Sequence, residues 1–146
     1  MAASTENSSN SSALKKALRL LSCEGLDGAM MVVDRELESN PESWEALSAK
    51  ADILYFQGKY ETALQYCELS MDQNPDNALV YNIKGNILYK QKKYEGAIEC
   101  YNRAIEIEPL FVRAWYNKKL ASEIQLKNSR MRVHCMPLGK SGEKVR

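Results

Sequence analysis

The chain is short of nearly everything from which a catalytic or metal centre is built. It has one histidine, His134, and four cysteines, Cys23, Cys67, Cys100 and Cys135, with no C-x-x-C pair and no ligand-type clustering among them. No glycine-rich phosphate loop follows a strand pattern, and the longest apolar runs, such as Ala29 to Val33, are far too short to span a bilayer. Net charge is missing as well: 20 basic against 19 acidic residues leave +1, so no global field selects nucleic acid or an anionic membrane. No secretory signal opens the sequence, and with unclustered cysteines the expected compartment is the reducing cytoplasm. Carboxylates are plentiful, but Glu95, Glu99 and Glu106 read as solvated helix faces, supported by i, i+4 partners such as Glu99 and Arg103. These absences argue against an enzyme, a cofactor, a bound metal and a membrane partner.

What is present is a period. Pro41, Pro75 and Pro109 are spaced by 34 residues, as are Ala29, Ala63 and Ala97, and the pair Tyr60 and Tyr94. Such a period marks stacked helical hairpins, each too small to bury its apolar face alone. At 146 residues, 45% apolar and 27% charged, the chain has the composition of a soluble globular domain.

The periodicity predicts about seven helices. Residues 1–11 (MAASTENSSNS) have almost nothing to bury and are expected to be disordered. Leu14, Ala17, Leu20 and Leu21 form the stripe of a first helix, broken at Ser22 to Gly25. Further helices are predicted at about Leu26 to Ser39, Glu42 to Gln57, Tyr60 to Gln73, Asn77 to Gln91, Tyr94 to Glu106 and Leu110 to Lys127. Pro41 fits the first turn of the helix it precedes. Gly58 reads as a left-handed helix C-terminus, and Lys92 stands in its place one period later, at a cost if the backbone angle is positive. From Asn128 the tail carries Arg130, Arg132, Lys140, Lys144 and Arg146 against Glu143, so residues 128–146 are expected to form a basic, flexible segment.

Two stretches resemble the tetratricopeptide repeat family. One carries Tyr81, Gly85, Leu88, Tyr94, Ala97, Tyr101, Ala104 and Pro109; the other carries Leu47, Ala51, Leu54, Gly58, Tyr60, Ala63, Cys67, Ser70 and Pro75. An earlier unit keeps Ala17, Leu20, Ala29, Val33 and Pro41 but has Leu26 and Glu36 at an aromatic and a small-residue place. The last helix keeps Trp115 and then departs at Lys119 and Ser122. The resemblance implies an all-α, right-handed superhelix of antiparallel hairpins. Its domain spans 12–127, with a degenerate repeat at 10–43, repeats at 44–77 and 78–111, and a terminal helix at 110–127. Gly85, Ala51, Ala63, Ala97, Ser70 and Ala104 fall where helices must approach closely, so overpacking Gly85 or Ala97 is expected to cost roughly 1–3 kcal/mol. Tyr60 and Tyr94 are expected to bury large area, at about 3–5 kcal/mol for truncation.

The family's first helices line a concave groove. Carried over residue by residue, its groove positions are Glu45, Ser48, Asp52, Tyr55 and Phe56, then Leu79, Asn82, Asn86, Tyr89 and Lys90, then Arg113, Tyr116 and Leu120. Of these, Asp52, Tyr55, Asn82, Asn86, Tyr89, Arg113 and Tyr116 are the candidate ligand-binding residues: tyrosines give flat amphipathic contact area, and asparagines can pair with a peptide backbone. The expected function is a non-catalytic interaction module or scaffold that binds a protein or peptide segment. The family's carboxylate clamp would need basic and amide residues at Leu14, Leu18, Ala49, Leu79 and Ile83, or one unit later at Ser48, Asp52, Ile83, Arg113 and Asn117. Neither set forms it. Lys16, Lys50, Lys84 and Lys118 repeat at 34 residues and are read as stems covering apolar surface before they are read as a ladder for an acidic ligand. Two alternatives remain: homo-oligomer formation through Trp115, Leu120 and Ile124 of the incomplete end, and weak binding of an anionic polymer by the tail with Lys90, Lys92 and Lys93, although five tail charges without interleaved aromatics argue against nucleic acid.

Overall fold

The computed structural model describes residues 25–134, and their regular structure is entirely helical. In chain order the helices are α1 (Gly25–Ser39), α2 (Trp44–Phe56), α3 (Tyr60–Gln73), α4 (Ala78–Lys90), α5 (Tyr94–Ile107) and α6 (Val112–His134). The expected first helix, the disordered segment at 1–11 and the end of the basic tail lie outside the described residues.

Helix starts are set by side chains placed just after each proline turn. Ser43 Oγ accepts from the Ala46 N–H at 3.3 Å, and Asn77 Oδ1 accepts from the Leu79 N–H at 3.1 Å, each satisfying a donor that the helix itself cannot. Pro41 and Glu42 therefore belong to the turn, and the helix begins at Trp44, two residues later than the proline-first reading. At α6 the corresponding place is Phe111, whose side chain has no acceptor to offer, and its backbone carbonyl accepts from the Ala114 N–H at 3.0 Å. That helix also ends differently from expectation, running seven residues past Lys127 to His134. The reason is local: from Asn128 to His134 there is neither glycine nor proline, and the first breaker is Pro137.

The tight turns inside the two complete hairpins are built alike. Gly58 N–H donates to Tyr55 O at 3.0 Å and Lys59 N–H to Leu54 O at 2.9 Å; Lys92 N–H and Lys93 N–H repeat the pair to Tyr89 O and Leu88 O at 3.0 and 2.9 Å. This pair of hydrogen bonds closes a helix only if the middle residue is left-handed. Gly58 has φ 75° and Lys92 has φ 62°, so the lysine occupies a conformation suited to glycine.

Each hairpin packs through small residues. Ala51, Ala63, Ala97, Ala104 and Ser70 are completely buried at the crossings. A Cβ added to Gly85 would lie 2.5 Å from Cε1 of Tyr101, so the glycine exists because the tyrosine ring occupies its side-chain volume. Tyr60 and Tyr94 are only half-buried, leaning on Tyr55 and Tyr89 with ring centroids 6.0 and 5.5 Å apart, so truncating them removes less area than a core aromatic would. Arg103 pairs with Glu106 at 3.0 Å and not with Glu99; both partners are exposed, so the pair adds little stability.

Stacking gives the curvature. Helix α2 touches α4, and α4 touches α6, whereas among the described residues α1 does not reach α3, nor α3 reach α5. First helices thus form the crowded inner side of an alpha-alpha superhelix, and the second helices spread on the outside.

Candidate functional site

The inner side presents α2, α4 and α6 as three parallel rows. Residues 34 apart fall in line across them: Asp52 with Asn86 and Leu120, Tyr55 with Tyr89, Ser48 with Asn82 and Tyr116. Asp52, Tyr55, Asn86 and Tyr89 are partly buried, while Phe56, Lys90 and Arg113 are exposed and Tyr116 is 61% exposed. Ser48 and Asn82, expected in the wall, are 2% and 1% exposed, so they form its floor.

The asparagines are engaged with the protein itself. Asn117 Nδ2 donates to Asn82 Oδ1 at 3.0 Å and to Asn86 Oδ1 at 2.9 Å, while the Tyr101 hydroxyl also donates to Asn86 Oδ1 at 2.9 Å. This amide cluster ties α4, α5 and α6 together. It changes the role expected for Asn82 and Asn86: their carbonyl oxygens are occupied, and what they can offer a backbone is the donating side of the amide. Asn117 was legible only as a failed clamp position, and Tyr101 only as scaffold; the signal that joins them to the groove is the α4 to α6 spacing, which is tertiary.

Charge is distributed unevenly on this wall. Burial raises the Asp52 carboxyl above the ordinary aspartate value, and the positive Arg113 across the groove partly offsets this. Burial also raises the phenols of Tyr55 and Tyr101, and Tyr55 is further raised by Tyr60, Asp52 and Tyr89. Arg113 therefore lies within electrostatic reach of Asp52, and Tyr55 within reach of Asp52, Tyr89 and Tyr101. Burial pushes the Cys67 thiol up to about 12 and raises Cys100, so both are protonated thiols acting as small apolar side chains. Among the described residues no cluster of three or more His, Cys, Asp or Glu side chains is placed to hold a metal, and no helix is long and apolar enough to cross a membrane.

Two of the periodic lysines, Lys50 and Lys118, are locally engaged, and Lys16 lies outside the described residues. Lys50 Nζ bonds Asp34 at 2.7 Å and lies 4.8 Å from the Tyr66 ring centroid, and Lys118 Nζ lies 5.3 Å from the Trp115 ring centroid. The extension of α6 brings Arg132 to Lys92 and Lys93 in an open cleft of about 540 Å³, which also contains Glu95. Trp115, on α6, is 49% exposed and donates its indole N–H to Pro109 O at 2.9 Å.

Two family models match the sequence, one described as a tetratricopeptide repeat over residues 14–78 and one as a TPR repeat over residues 85–118. No curated protein sequence matches. The first TPR domain of human RPAP3 superposes with a TM-score of 0.73 at 18% identity, over 83% of this chain and 95% of that one. The Sgt2 TPR domain from Aspergillus fumigatus gives 0.73 at 16% identity, over 94% and 91%. The first TPR of Spaghetti (RPAP3), solved with the HSP90 peptide SRMEEVD, gives 0.70 at 19% identity, over 80% and 93%. At these identities the structural likeness establishes the fold.

Proposed function

The chain is a member of the tetratricopeptide repeat family, and from that premise we propose that it is a protein-interaction module that holds an extended or helical peptide segment against α2, α4 and α6. The observation that supports this is the contact of α2 with α4 and of α4 with α6, the three helices that carry Asp52, Tyr55, Asn86, Tyr89, Arg113 and Tyr116. A wall of partly buried aromatic rings with a few polar groups suits a peptide, because the rings supply contact area at small entropic cost while the polar groups fix direction. A solved neighbour holds an acidic peptide, SRMEEVD, but the groove here is built for something else. The clamp places are filled by buried Ser48, carboxylate Asp52, apolar Ile83 and an Asn117 already bonded to Asn82 and Asn86, leaving Arg113 as the one matching charge. The SRMEEVD peptide is therefore expected not to bind. Peptides selected on the intact chain from a random display library, titrated by NMR, should shift resonances of Tyr55, Asn86, Tyr89 and Tyr116; shifts confined to α1, α3 and α5 would remove the groove assignment.

A second reading is self-assembly through α6. It is favoured by the exposed Leu126, Met131 and Val133, of which Leu126 and Val133 border an apolar recess of about 520 Å³. Sedimentation showing a monomer at high concentration would remove it.

A further inference from the structure

One place on the groove wall lacks the hydrogen-bonding partners that its counterpart one repeat later has. Asn86 accepts from Tyr101 and Asn117, each at 2.9 Å. Thirty-four residues earlier the same three places are Asp52, Cys67 and Ile83. Cys67 is completely buried and, as a thiol, a weak donor, and Ile83 is no donor at all. Ser48, the counterpart of Asn82, donates its hydroxyl to Glu45 O at 2.9 Å. Asp52 thus has the more demanding acceptor, a carboxylate, in the repeat from which both donors have been removed. Among the described residues no side chain bonds it or pairs with it within 4.0 Å; Arg113 acts on it only from farther away. A carboxylate partly withdrawn from water without protein donors carries a cost, and that cost is recovered when a charged donor arrives.

We infer that Asp52 receives a basic side chain, lysine or arginine, of the segment bound in the groove, with the stem of that side chain lying against the Tyr55 ring. This rests on the groove function proposed above and names the ligand class. Tyr55 follows Asp52 by one helical turn on the same face, and its ring is fixed by Phe56 at 5.2 Å and Tyr60 at 6.0 Å between centroids. A carboxylate beside a fixed aromatic face is a cation site, since the ring's negative face and the carboxylate attract the same group. Arg113, exposed and not paired with Asp52 within 4.0 Å, leaves the carboxylate open to a second cation.

The test selects random 12-residue peptides by display on the intact chain and measures the winners on variants. Expected are winners sharing a lysine or arginine at one fixed position, with affinity falling about tenfold or more either when that residue becomes alanine or when the protein carries Asp52→Asn. Asn86 shows that asparagine is accommodated at this register, and Asp52→Lys, which should select acidic peptides instead, supplies an independent reversal. Winners that lose binding to Tyr89→Ala yet lack a basic residue, or bind Asp52→Asn undiminished, overturn the cation site while leaving the groove intact. Winners indifferent to every groove substitution overturn the groove itself and the cation site with it.

Discussion

The repeats at 44–77 and 78–111 share one register and fill it differently. Where the later repeat sets Gly85 against Tyr101, the earlier one sets Ala51 against Cys67, and all four places are buried within their crossings. The later pair is the bulkier in sum, and the trade runs one way: a ring is admitted only where the opposite Cβ is absent. The exchange also removes a hydroxyl, so the choice of Cys67 over tyrosine leaves Asp52 without the donor that Asn86 enjoys. Packing and groove chemistry are thereby set by the same residue.

The comparison breaks most severely at Tyr101. Tyr101→Ala, which empties the later crossing, should lower unfolding free energy by about 3–5 kcal/mol in urea denaturation. Gly85→Ala should cost roughly 1–3 kcal/mol in the parent chain, because the new Cβ falls 2.5 Å from the ring, and much less in a Tyr101→Cys background that copies the earlier repeat. A double-mutant cycle in which the two losses simply add would refute shared volume. The turns sharpen the comparison in the opposite sense: Lys92→Gly should stabilise, and Gly58→Ala destabilise, by about 1 kcal/mol each, read as shifts in thermal midpoint.

The smallest effect concerns Asp52. Its folded-state carboxyl holds a proton to higher pH than in the unfolded chain, so ionisation above that range weakens the fold and the penalty fades as pH falls through the raised value. Asp52→Asn should therefore be slightly more stable than the parent at neutral pH, with the two thermal midpoints converging in acid. A variant more stable but poorer in binding is the expected signature of a residue kept for its ligand.

How far the sequence could carry these conclusions depended on distance along the chain. Proline and alanine spacing made the hairpins legible, as did the close approach at Gly85, because both depend on a repeat's own register. The left-handed Lys92 was legible for the same reason, by comparison with Gly58. The amide cluster was not, since joining Asn117 to Asn82 and Asn86 needs the spacing of helices more than thirty residues apart. Nor was the full length of α6, where the absence of a breaker counted for more than the decline in apolar pattern after Lys127. Asp52, Tyr55, Tyr89 and Arg113 were assigned to one wall by the family's groove positions, but which of them lacked a partner could be seen only once their neighbours were known.

Contact between successive inner helices, without contact between successive outer ones, has a mechanical meaning. Since each inner helix also packs on the outer helix of the repeat before it, the free gaps are those between successive outer helices, and flexing opens and closes them about the inner side as pivot. Displacement is least at a pivot. The residues of α2, α4 and α6 proposed to face a ligand therefore sit nearest the pivot, so a segment bound there would meet nearly the same wall in every bent state and give up little to order it.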